Sequence, residues 1–428
     1  MTELLDDLLE AGRAAARRQA WRDAYEHLRG ADQHGNLTAE DLESLGEAAW
    51  WTGHLEEALS FRERAYAAWV AEGEPRRAAV LASMLSVDHL MRGVMAVSGG
   101  WLARAERLLA EEEEGPEHGF LAFVRGLTAH AMGDFETVLR ELDRAHELAG
   151  RFGDGSLQAM ALVFNGATLV ATGEVERGLA MLDEATAAAV SGELQPLATG
   201  IVYCVTIDSC QSLGDCGRAA EWTEEANRWC DRRDVSGFPG ACRVHRAQLL
   251  RLRGEWPRAE EQALRACEEL QAYNGFVTAE GFYEIGEIRR RRGDFAAAEE
   301  AYGKAKELGR EPQPGLALLR LAQGKLDAAA AAIKRELAQE SLDPLSRSKR
   351  LPAQIEISIA AGEFRRAREA AEELDQIADT FLVGGKRTPA LNGASQLAWG
   401  QIRLAERDWE GSETALRAAR GRLAEQLR

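Results

Sequence analysis

A glycine followed by an acidic residue recurs at a near-constant interval through the stretch from Gly126 to Gly293. Gly133-Asp134, Gly173-Glu174, Gly214-Asp215, Gly254-Glu255 and Gly293-Asp294 stand 40, 41, 40 and 39 residues apart. A fixed period of that length marks an array of small units, each packing on its neighbours. It overrides the division into about three domains that 428 residues otherwise imply.

Within a unit, apolar residues recur at helical spacing, and no segment alternates as a strand does. The chain is therefore expected to be all-α. The first unit turns near Gln19 and the second at Gly53-His54, with Thr38 and Asp41 as a helix start. The third is irregular, and its turn is placed at Ser98-Gly99-Gly100, with the second helix starting at Trp101. The ninth is compressed, the tenth turns at Gly362-Glu363, and the eleventh has Arg407-Asp408 where the others have glycine. A flexible insertion, Val383 to Arg387, precedes it.

The units align in detail. Gly46, Gly126, Gly166 and Gly286 stand seven residues before a turn glycine, and Gly400 seven before Arg407. Ala58, Ala219, Ala259, Ala298, Ala329 and Ala367 stand five after; Ala65, Ala145, Ala185, Ala226, Ala266, Ala305 and Ala419 stand twelve after. Large residues such as Phe135, Trp256 and Phe295 stand two after. Antiparallel helices approach closely only where facing side chains are small, and large ones then fill the space beside them. Gly inside a helix costs about 1 kcal/mol against Ala, so its recurrence at one site implies close helix packing.

This small–large–small pattern resembles the tetratricopeptide repeat over nearly the whole chain. The resemblance implies a right-handed α-solenoid of about eleven helix-turn-helix repeats in a single domain, residues 1–428. The repeats are most regular over 117–308 and weaker over 1–116 and 309–428. The period near 40, against 34 for the standard repeat, implies longer helices. Three segments, Arg218–Glu224, Phe238–Arg246 and Gly281–Arg289, also resemble the helical-repeat region of actinobacterial LuxR-type transcription regulators. That resemblance implies a regulatory or binding role. The helix-turn-helix DNA reader and nucleotide-binding module of such regulators have no counterpart here, so DNA binding is not carried over.

Composition narrows the function. A net charge of −18 disfavours direct nucleic-acid binding, which depends on Lys and Arg against phosphates. The N-terminus has no signal-peptide pattern, and the longest uncharged run, Ser156 to Thr172, is too short and polar for a confident membrane span. A cytoplasmic chain with no membrane partner is expected. All six cysteines fall between Cys204 and Cys267 with no zinc-ligand spacing, and are read as small buried residues.

Motifs with a mechanism are lacking. Gly384-Gly385-Lys386-Arg387-Thr388 resembles the end of a phosphate-binding loop, but Thr380 stands where such a loop needs glycine. His146-Glu147 lacks the second histidine of a zinc protease motif. No catalytic residue, metal or cofactor is expected. Glu111–Glu114 reads as a solvated helix end or an acidic docking patch. Arg289–Arg292 reads as helix-dipole complement or an anion contact.

In a tetratricopeptide superhelix the first helix of each pair lines the concave face. Counted back from the turn glycines, the groove candidates include Phe120, Phe123, Leu127 and His130 in the fourth unit and Met160, Val163, Ala167 and Val170 in the fifth. They continue as Asp208 and Gln211 in the sixth, Ala241, Gln248 and Arg251 in the seventh, and Tyr283, Glu287 and Arg290 in the eighth. The groove thus runs from apolar to polar. It would suit a small amphipathic ligand or a helix with one apolar end, unless tight curling packs the apolar positions on one another. The leading expectation is a non-catalytic regulatory solenoid that binds a ligand in this groove. The alternative is a scaffold or adaptor that recognises a protein or peptide segment. Arg251 and Arg290 are expected to be solvent-exposed and ready for an anionic group.

Overall fold

Each Gly-acid pair makes a helix end and a helix start out of two residues. Gly133 takes φ 75° and closes the helix Pro116–Met132, a left-handed conformation that glycine adopts without a steric cost. Asp134 then accepts from the Thr137 amide at 3.1 Å and opens Phe135–Phe152. Asp215 and Asp294 cap their helices in the same way. In the last unit Arg407 takes φ 69° without glycine's freedom, and Asp408 keeps the cap on Gly411. Thr38 and Asp41 form a reciprocal capping box at the start of Ala39–Trp51.

The structure is a computed structural model. It describes residues 2–35, 37–233, 238–270, 275–339 and 342–426, without the side chains of 2–4, 231–233, 238–242, 276 and 425–426. Ala241, Cys242 and the start of the Phe238–Arg246 segment thus lie outside the described side chains. Antiparallel helix pairs follow one another from Thr2–Arg17 to Trp409–Gln426, giving an all-α solenoid whose longest helices reach 18 residues.

The small positions are where the helices touch. A Cβ on Gly126 would stand 2.8 Å from the Leu142 side chain, and one on Gly166 2.9 Å from the Gly178 carbonyl. On Gly286 it would stand 2.5 Å from the Tyr302 ring. The alanines five and twelve residues after the turns are all buried.

The third unit turns at Gly93 (φ 74°), not at Ser98-Gly99-Gly100, which lie inside the helix Met95–Leu109. Gly93 is 40 residues from both Gly53 and Gly133, so it keeps the period. Its close-packing sites are serines: Ser86 donates to the Ser98 carbonyl at 3.0 Å. The insertion at Val383–Arg387 is a two-residue-per-strand hairpin, Leu382–Val383 with Lys386–Arg387. Gly384 and Gly385 both have positive φ, as a tight hairpin turn requires. Asp375 and Asp379 hold Arg387 at 2.8 and 2.6 Å.

The array curls far enough for its C-terminal third to meet its middle. The short helix Pro344–Ser348 lies on Gly155–Thr172 and Pro196–Leu213, and the strand Leu382–Val383 lies beside Val175–Ser191. Lys349 Nζ donates to Ser212 Oγ at 2.9 Å, and the Gly384 amide to Glu176 Oε1 at 2.7 Å. One apolar cluster runs through both regions, joining Val163, Val170 and Val202 with Leu345, Leu351 and Phe381. Gly155–Thr172 is the one described helix apolar and long enough to cross a membrane, and 56% of it is buried inside the protein, as in a core helix.

Candidate functional site

The helices Pro116–Met132, Gly155–Thr172, Pro196–Leu213, Phe238–Leu252 and Gly275–Arg292 carry the groove candidates. The structure divides these residues into three groups.

The first is apolar. Phe120 and Leu127 are half-buried, while Phe123 is 4% exposed and packs edge-on to Phe164 at 5.7 Å. Met160 is half-buried, bridging this cluster and the large central one. Val163 and Val170 are fully buried. The apolar stretch of the groove is therefore largely consumed: the chain's own Pro344–Ser348 segment sits against it, because the curl brings that segment there.

The second group is charged and internally paired. Arg251 donates to Glu284, with side chains 17% and 2% exposed. Glu287 receives Arg290 at 3.2 Å, Arg291, and the Tyr302 hydroxyl at 2.6 Å. Arg310 lies 3.4 Å over the Tyr283 ring and pairs with Glu280. Burial pushes the Glu284 carboxyl up against the pull of Arg251. Glu287 is also penalised by burial, but Arg291 and Arg290 prevail and draw it down to about 2. Gly315 belongs here too, since a Cβ on it would collide with Glu287 and Tyr302.

Arg251 and Arg290 are thus not the free, exposed cations expected from their register. Their charges already serve carboxylates on neighbouring turns and helices. Arg289 and Arg292 both reach Glu260 at 2.7 Å, so the whole arginine run is committed to internal acids. Half of the acidic run is paired likewise: Arg76 with Glu112, and Arg144 and Arg151 with Glu114.

The third group lies between the other two. Asp208 is exposed, and Gln211 donates to the His245 carbonyl at 3.1 Å. Gln248 lies 3.4 Å from His245 Nδ1. His130 feels the charges of Asp343 and Asp208, and His245 that of Asp208. Burial is the larger influence on both imidazoles and lowers their pKa. His130 is nonetheless exposed at the surface, while His245, Tyr283 and Arg251 are half-buried.

Sequence register named Asp208, Gln211, Gln248, Arg251, Tyr283, Glu287 and Arg290 as candidates and did not name Glu284, Tyr302 and Arg310, with which several of them pair. The spacing of Glu280, Glu284, Glu287 and Arg291 at three or four residues marks one helical stripe and was a usable signal for Glu284. Nothing local signalled Arg310. Among the cysteines, burial raises the Cys210 and Cys267 thiols to about 12, far from a reactive range. Among the described residues no group of three or more His, Cys, Asp or Glu could hold a metal ion.

No protein-family model matches the sequence, and no curated protein matches it either. Among solved structures the chain is similar to NprR in complex with its cognate peptide NprX, at 13% identity and TM-score 0.50, covering 88% of this chain and 98% of that one. It is also similar to a Rap protein complexed with competence and sporulation factor (12% identity, TM-score 0.49, 100% of both chains). A human IFIT1 dimer with PPP-AAAA is a third (14%, 0.48, 92% of both). The likeness defines the class by fold: a tetratricopeptide-like helical-repeat solenoid.

Proposed function

We propose that this chain is a non-catalytic helical-repeat scaffold that binds a peptide segment in its concave groove. The observation that carries the reading is the polar row Asp208, Gln211, His245 and Gln248 on two neighbouring first-position helices, each exposed or half-buried, with Gln211 reaching the His245 carbonyl at 3.1 Å. The sequence alone put a regulatory solenoid with a ligand in its groove first and a peptide-binding scaffold second. The first of these needed an open apolar wall, and Val163 and Val170 are instead sealed in the core. A polar helical surface fits a peptide segment better. The peptide held by the similarly folded NprR supports the reading by analogy of fold. A regulatory role rests on the sequence resemblance to LuxR-type regulators alone.

The test is selection of short random peptides on the full chain, followed by blocking. Leu127→Arg and Gln248→Trp should abolish binding of the selected peptides, and Glu136→Arg, on an exposed site of a second-position helix, should not. Equal binding by all three variants would place the peptide elsewhere.

A further inference from the structure

The array carries its own pattern for what covers the second helix of a pair. Gly275–Arg292 lies on Trp256–Leu270, and Gly315–Ala322 on Phe295–Glu307. In both, the aromatic residue two after one turn meets an apolar residue five before the next: Trp256 shares a cluster with Ile288, and Phe295 with Leu319. The acid six after the turn meets the arginine four before the next. Arg289 reaches Glu260 at 2.7 Å, and Arg320 reaches Glu299 at 2.6 Å. The two places vary together: where the sixth is Ala220 or Ala330, Leu250 or Ser358 holds the matching place and no ion pair is needed.

The last helix, Trp409–Gln426, repeats one half of this pattern without the other. Counted from Arg407, Trp409 and Glu413 hold the second and sixth places. Trp256 and Phe295 are half-buried, but Trp409 is 64% exposed. The Glu413 side chain is 63% exposed, against 16% for Glu260. It pairs with Arg417 one turn on, an exposed contact that an incoming guanidinium displaces at little cost. Leu404 and Leu416 extend the apolar surface beside Trp409. We propose that this face docks an amphipathic helix of another protein, with a Leu or Ile on Trp409 and the arginine that follows it on Glu413.

The chain's own first helix does not fit the place. Counted from Gln19 (φ 58°), Thr2–Arg17 offers Ala14 and Ala15 in the two covering positions, and Ala15 is buried. Two copies stacked head to tail would therefore bring neither a large apolar side chain nor a cation. Arg417 and Arg420 border the same surface, ten and thirteen residues after the turn. Elsewhere in the array those places answer to the residue eight before the next turn: Asp143 to Asn165 at 2.5 Å, and Glu106 to Arg125 at 2.9 Å. With arginines there, the partner needs an acid three residues ahead of its Leu or Ile. Its signature is an acid, two further residues, Leu or Ile, then Arg, all on one helical stripe.

The probe is a fluorescent peptide copying residues 275–292, with Ile285→Glu to supply that acid and its helicity checked by circular dichroism. In anisotropy titrations it should bind the full chain, and Trp409→Ala should weaken it by about tenfold or more. Glu413→Arg should weaken it likewise, and should prefer a peptide that also carries Arg289→Glu. Both chain positions are exposed, so both variants should melt like the parent. No binding by the helical peptide, or binding insensitive to either variant, overturns the proposal. Self-association of the chain in sedimentation that Trp409→Ala abolishes assigns the face to a second copy and overturns it as well. The face lies apart from the groove helices, so none of these outcomes bears on the peptide groove.

Discussion

Gly155–Thr172 and Gly275–Arg292 occupy equivalent places in the fifth and eighth units, yet their inward faces are satisfied by opposite means. The first turns Val163 and Val170 inward and buries them against a segment nearly two hundred residues later in the chain. The second turns Tyr283, Glu284 and Glu287 inward and neutralises them with arginines from itself and its neighbours. Neither face is left for a ligand. What is available lies between them, on Pro196–Leu213 and Phe238–Leu252. Equivalent register in a repeat therefore predicts which side chains face inward, and not whether they are free.

The comparison breaks most sharply at the ion pairs. Arg251→Ala strands the Glu284 carboxyl in the interior and should cost about 3–5 kcal/mol in chemical denaturation. The double variant Arg251→Met, Glu284→Leu should recover most of that loss. An unchanged midpoint for the single variant would mean that the wall is open and the arginine free.

On the apolar side, Leu345→Ala removes the residue through which the C-terminal third enters the central cluster. It is 3% exposed, and the cavity left should cost about 2–5 kcal/mol. Hydrogen exchange should quicken at both Gly155–Thr172 and Pro344–Ser348. A response confined to Pro344–Ser348 would show that the two regions do not share a core.

The smallest effect is on pH dependence, and only the charged wall should show it. Glu287 has its folded pKa drawn below its usual 4.5, to about 2. Its contribution is therefore full above about pH 4.5 and fades as pH falls toward 2. Glu287→Gln should be less stable than the parent near neutrality and lose less on acidification. Parallel acid curves for the two proteins would remove Glu287 from that role.

Much of the fold was legible because its determinants are local. The turn glycines, the aspartate caps and the alanines of the close crossings each act within one helix pair. The Gly93 turn was also within reach, since the period passes through it; Gly99-Gly100 drew attention away because paired glycines usually mark a break. The Arg290–Glu287 pair, three residues apart on one helix, was within local reach, whereas the pairing of Arg251 with Glu284 was harder, because it requires knowing which turn of the next helix stands opposite. The closure on Gly155–Thr172 was beyond local reading. It depends on small rotations accumulated over several units, and no single residue encodes their sum.

That closure changes how the molecule holds together over time. In an open array, each unit answers only to its neighbours, and either end can fray without notice at the centre. Here the Gly384–Glu176 and Lys349–Ser212 bonds fasten positions 208 and 137 residues apart. The chain between them becomes a loop whose closure entropy is spent once, late, after the intervening helices have formed. Residues from Glu176 to Gly384 should therefore melt as one cooperative block, while the helices from Thr2 to Trp51, outside that loop, remain free to open on their own.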